Sequence, residues 1–118
     1  CGHRVCMEIV TDDGVEATEA MPGVHLTQGA AGEQASIQRF RIEPGATVPE
    51  HTHPHEQIGT VTGGVLTLVV DGEDRPVRAG DTFVIPVDEP HAARNDGDRP
   101  ATGVEVFSPA RPNPDWES

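Results

Sequence analysis

The chain has 118 residues, with twenty Asp and Glu against eight Arg, no Lys, and a formal net charge of −12. That length holds one modest core, and neither an apolar run of about eighteen residues nor a signal-like opening suggests a membrane span or secretion. So acidic a surface argues against nucleic acid, whose phosphates are gripped by Lys and Arg, and against anionic membrane surfaces.

Thirteen Gly and eleven Pro punctuate short runs rich in Val, Ile and Thr, the pattern of short antiparallel strands joined by turns. Residues 4–10 read as a first strand and 23–27 as a short second. Ser36–Ile42 alternates, with Gln38, Phe40 and Ile42 on one face. Glu43-Pro44-Gly45-Ala46 is a turn, 48–53 a strand, and Pro54 bends the chain before a return strand over 57–62. Gly63-Gly64 makes a hairpin turn into Val65–Val70, the most apolar run, and Asp71-Gly72 turns again. Val77 leads through Ala79-Gly80-Asp81 into Thr82–Ile85, which Pro86 stops. His91–Arg94 and 102–107 complete the set, leaving an irregular tail over 108–118 with Trp116 as an anchor or dimer contact. Cys1 and Cys6 read as free thiols of a reduced cytosol, with a disulfide or a small site with His3 as weaker alternatives.

The chemistry concentrates in His51-Thr52-His53-Pro54-His55-Glu56-Gln57 and in Pro90-His91. On a strand, residues two apart share a face, so His51 and His53 can act as a pair. With His91 and the Gln57 carboxamide they can converge on one divalent ion, since imidazole suits zinc, iron, copper and nickel. His55 either ligates in place of Gln57 or stands beside the site. Glu56 faces solvent, and His3 and His25 carry no such constellation.

Gly45, five residues, His51-x-His53, three residues, Gln57, six residues and Gly64 resemble the first motif of the cupin superfamily. Gly80, five residues, Pro86, then His91 and Asn95 resemble the second. The motifs cover 45–64 and 80–95 of what is then one domain over 1–118. Gln57 stands where most cupins place a glutamate ligand. Asp88 replaces the usual glycine but tolerates left-handed geometry. The resemblance implies an all-β, cupin-type double-stranded β-helix, a jelly-roll barrel. It further implies one divalent ion (nickel, zinc, manganese or iron) on His51, His53, Gln57 and His91, and a homodimer.

Residues 102–111 end in Glu105, Phe107, Ser108-Pro109 and Arg111. Either Glu105 and Phe107 or Val104 and Val106 look inward. This order, with His53 to Gln57 as HPHEQ, is similar to the small cupins of pectin and alginate breakdown that ketonise 4,5-unsaturated uronic acids. The resemblance implies a carboxylated-sugar substrate, proton transfer by Glu105, Phe107 against the sugar face and Arg111 on the carboxylate. That family usually has Asp in place of Glu105. Related cupins often carry an aromatic at the position of Thr60, so its absence implies a wider pocket. An iron- or nickel-dependent dioxygenase, another sugar or keto-acid isomerase, and a non-catalytic small-molecule-binding cupin remain open alternatives. The acidity and the missing Lys suggest the cytoplasm of a salt-accumulating organism, because carboxylate repulsion is screened where the Debye length shrinks to about 3 Å at 1 M salt.

Overall fold

Ser36–Ile42 buries Ser36, Gln38, Phe40 and Ile42 and turns Arg39 and Arg41 to solvent, as period-two patterning requires. The computed structural model describes residues 7–111, which form ten strands: β1 Thr18–Met21, β2 Val24–Ala31, β3 Ser36–Ile42, β4 Thr47–His51, β5 Glu56–Gly63, β6 Val65–Val70, β7 Glu73–Arg78, β8 Thr82–Ile85, β9 His91–Arg94 and β10 Ala101–Ser108. One sheet runs β1-β2-β3-β10-β5-β8 and the other β4-β9-β6-β7. All the pairings within them are antiparallel. This is the expected all-β jelly roll. Among the described residues no helix is long and apolar enough to cross a membrane.

The two sheets close on Val24, Phe40, Ile42, Val61 and Ala101 from the larger and Leu66, Leu68, Val77 and Ala93 from the smaller. Full burial of each large aliphatic or aromatic side chain stabilises by roughly 1.5–3 kcal/mol. Gly103 makes the packing possible, since a Cβ there would lie 2.3 Å from the Phe40 ring. Gly64 turns the β5–β6 hairpin at φ 70°, where a Cβ would strike the Pro100 carbonyl at 2.3 Å.

Asn95, 1% exposed, ties the two motif ends together. Its Nδ2 donates to the carbonyls of Ile42 and Arg99, and its Oδ1 accepts from Gly97 N–H. Its backbone exchanges hydrogen bonds with Gly45 and Ala46. Asp88 adopts φ 63°, so it keeps the turn that glycine usually makes, and its N–H donates to the His53 carbonyl at 3.0 Å.

Several strand expectations need correction. Residues 7–10 form no strand, and Met7 and Ile9 are exposed; residues 4–6 lie outside the described part, as do Cys1, His3, Cys6 and the tail from 112 with Trp116. The second run extends to Ala31. β1 and β7 were not expected; β7 buries only Val77, so no alternation marks it, and its Pro76 is tolerated because β7 is an edge strand. β4 ends at His51, two residues short, so His53 reaches the site from the bend beyond the strand.

Candidate metal centre and proton-transfer site

His51 and His91 face each other across β4 and β9, and His53 comes in from the Pro54 bend. Their ligand-capable nitrogens all lie within 4.8 Å of one another. What makes this a ligand set is the opposite edge of each ring. The Nδ1 atoms of His51, His53 and His91 lie 2.9, 3.1 and 2.8 Å from the backbone carbonyl oxygens of Pro49, His55 and Glu89. A carbonyl only accepts, so neutral His51 and His91 carry their proton on Nδ1 and turn the Nε2 lone pair into the cluster, while His53 has an acceptor oxygen at each ring nitrogen. Such outer hydrogen bonds fix tautomer and ring orientation for metal binding. Burial holds the pKa values of His53 and His91 below the ordinary imidazole value, a shift toward the neutral ring that a metal ligand requires. The site thus fits a divalent ion by the chemistry of its donors.

Gln57, 7% exposed, presents its Oε1 to His53 Nε2 at 3.0 Å. His53 Nε2–H donates in that contact; with the ring proton on Nδ1 instead, the same two atoms become donors to a shared cation. His55 stays outside the imidazole trio: its ring packs edge-on to Phe107 and His53, and its carbonyl steadies His53.

β10 lies between β3 and β5, with Glu105 opposite Gln38 on one side and Gly59 on the other. That placement turns Ala101, Gly103, Glu105 and Phe107 inward and settles which face of the last strand lines the barrel. Glu105, 9% exposed, accepts from Gln57 Nε2 at 2.7 Å on one oxygen and from Gln38 Nε2 at 2.6 Å on the other. Burial raises its pKa above the ordinary carboxyl value, opposed by the two amide donors and by Arg111. The Arg111 guanidinium sits 4.7 Å above the Phe107 ring, and its backbone N–H donates to Ser36 Oγ.

Gln38 is the residue sequence reasoning did not assign to the site. The available signal was a carboxamide on the same strand face as Phe40 and Ile42, where a polar group needs a buried partner. Thr60 corrects another expectation. It alternates away from Gln57, Gly59 and Val61 and donates its hydroxyl to the Asp81 carbonyl, so the missing aromatic there does not widen the cavity.

These groups border a cavity of about 380 Å³, within the roughly 300–1,000 Å³ range of small-molecule sites. Its polar groups are the imidazoles, Gln38, Gln57, Glu50, Glu105 and Arg111, and aliphatic side chains such as Val24, Leu26, Leu66 and Leu68 form much of the rest.

Residues 38–107 match the family model described as Cupin domain. The chain is 40% identical over 91 residues to "Polyketide synthase CurC" of Streptomyces cyaneus, covering 75% of this chain and 59% of that protein. It is 37% identical over 92 residues to "Protein SchB" of Streptomyces halstedii, covering 76% and 67%. It therefore spans about three fifths to two thirds of the length of these relatives. Among solved structures, KdgF from Halomonas sp. superposes with a TM-score of 0.82 at 25% identity, covering 90% of this chain and 96% of that one. The motif spacings, the two-sheet barrel and the family match agree: the chain belongs to the cupin family.

Proposed function

We propose that this chain is a metal-dependent enzyme that moves a proton on an enolisable, oxygenated small molecule. The observation that carries the reading is Glu105, a buried carboxylate on the wall of a partly aliphatic cavity beside three clustered imidazoles. Nickel, zinc, manganese or iron held by His51, His53, His91 and Gln57 would supply Lewis acidity toward a carbonyl or hydroxyl oxygen. Glu105 exchanges the proton at a carboxylate oxygen, its basicity increased by burial. Phe107 packs against the substrate ring. Arg111, stacked on Phe107, offers a guanidinium fork to a carboxylate.

Ketonisation and ring opening of a 4,5-unsaturated uronic acid fits this set, supported by the acid–Phe–Arg order of the last strand and by the cationic group on the cavity wall. A second reading has its own support. The aliphatic lining suits a substrate with a broader apolar body, and CurC, the relative at 40% identity, is a polyketide synthase. Both readings share the proton transfer and differ in the body of the substrate. The protein acts as a homodimer, and in the cytoplasm of a salt-accumulating cell.

The test is elemental analysis of purified protein, followed by assay of the metal-loaded form on a 4,5-unsaturated uronate through loss of its conjugated-alkene absorbance. Turnover that disappears in Glu105→Ala supports uronate ketonisation. Inactivity on uronates with turnover of a polyketide-type enol supports the second reading. Oxygen consumption by an iron-loaded sample, without either, would replace both with a dioxygenase.

A further inference from the structure

Gln57 could present either end of its carboxamide to the imidazole trio, and the two ends have opposite consequences. The NH₂ end would donate to an inward lone pair and leave nothing for a cation. The carbonyl end adds a fourth donor atom. A metal needs the His53 Nε2 lone pair bare, and a bare lone pair would attract the NH₂ end, so something must hold the amide the other way.

We infer that Glu105, itself braced by Gln38, is an orientation lock that forces Gln57 to present its carbonyl oxygen to the metal position. The inference rests on the metal reading of the imidazole trio. Gln57 Nε2–H donates to Glu105 Oε1 at 2.7 Å, which leaves Gln57 Oε1 facing His53 Nε2. Gln38 occupies the other Glu105 oxygen at 2.6 Å, which stops the carboxylate from swinging away. All three side chains are buried on three adjacent strands, β3, β10 and β5, so their geometry is set by strand register. Gln38 and Glu105 are thus positioning residues for the ion, a role separate from proton exchange with substrate. The lock also gives a physical reason for Gln rather than Glu at position 57: a carboxylate there would face Glu105 with no donor between them.

Cobalt(II) affinity, measured by competition with a chelator, separates the lock from the mere presence of a negative charge. Glu105→Gln and Glu105→Leu remove the same charge. In Glu105→Gln the brace survives, because Gln38 can turn its carbonyl to the introduced NH₂ and leave the introduced carbonyl for Gln57. The lock therefore predicts near-normal cobalt affinity in Glu105→Gln. In Glu105→Leu it predicts a loss of roughly 10- to 100-fold, the usual cost of removing such an outer partner, with a changed cobalt d–d spectrum as the oxygen donor departs. Equal weakening in both variants, or in neither, would overturn it.

Should Glu105→Leu fail to fold, nitrogen-15 spectra of the unsubstituted, metal-free protein decide. The side-chain NH₂ protons of Gln38 and Gln57 should exchange slowly with solvent, and fast exchange would overturn the lock. Failure of the unsubstituted protein to bind cobalt at all would instead overturn the metal reading, and the lock with it.

Discussion

His51 and His91 stand opposite each other across the β4–β9 pair with ring centroids 4.3 Å apart, although they belong to different motifs. Each ring donates Nδ1–H to the carbonyl two residues before it, so both Nε2 lone pairs converge. Removing either imidazole leaves at most two aligned rings. His91→Ala should abolish stoichiometric metal binding while the jelly roll persists, as read by elemental analysis beside circular dichroism. Retention of one equivalent of metal would place the ion elsewhere.

Acid should weaken the metal-free fold through the same rings. Burial lowers the pKa of His53 and His91 from 6.5, so between that value and their folded values the unfolded chain binds more protons. Stability is therefore full above about pH 6.5 and declines as pH falls toward the folded values. Glu105 has the opposite sign. Its raised pKa favours the fold below 4.5 and loses that contribution as pH rises through the folded value. Glu105→Gln should raise the melting temperature of chelator-treated protein at pH 8, by less as the pH approaches 4.5. In that variant, where the Glu105 contribution is gone, the melting temperature should fall between pH 7.5 and 5.5. A flat profile there would contradict the buried, lowered state of the two imidazoles.

Asn95→Ala should lower stability by about 2–4 kcal/mol. It strands the buried carbonyl of Ile42 and the N–H of Gly97 and removes a fully packed side chain. Urea unfolding monitored at equilibrium checks this. A change below about 0.5 kcal/mol would mean that the backbone pairing with Gly45 and Ala46 suffices.

Arg111→Ala should raise KM for a carboxylated substrate about tenfold, near 1.4 kcal/mol, with a smaller effect on kcat. Steady-state kinetics with the uronate reads the split. An unchanged KM would remove the guanidinium from substrate binding and strengthen the case for an uncharged substrate.

A net charge of −12 predicts a melting temperature that climbs with KCl as self-repulsion is screened. A melting temperature independent of KCl between 0.1 and 2 M, on the order of the range over which the Debye length falls from about 10 to below 3 Å, would dispose of the salt adaptation.

The clustering of His51, His53 and His91 was legible in the sequence because a site that can hold a metal needs particular side chains at spacings that short motifs preserve. Ser36–Ile42, Val65–Val70, Thr82–Ile85 and His91–Arg94 were legible because each alternates or is continuously apolar between turn residues, and Asp88 because few residues other than Gly accept its φ of 63°. β7 escaped, since an edge strand that buries only Val77 carries no period. The direction of β10 escaped for a different reason: Val104 and Val106 on one face and Glu105 and Phe107 on the other are equally periodic. Only pairing between β3 and β5 turned Glu105 inward, where Gln38 and Gln57 offset part of the cost of burying its carboxylate. That triad joins residues distant in the chain through strand register, and hydrogen bonds of that kind exist only once the barrel has closed.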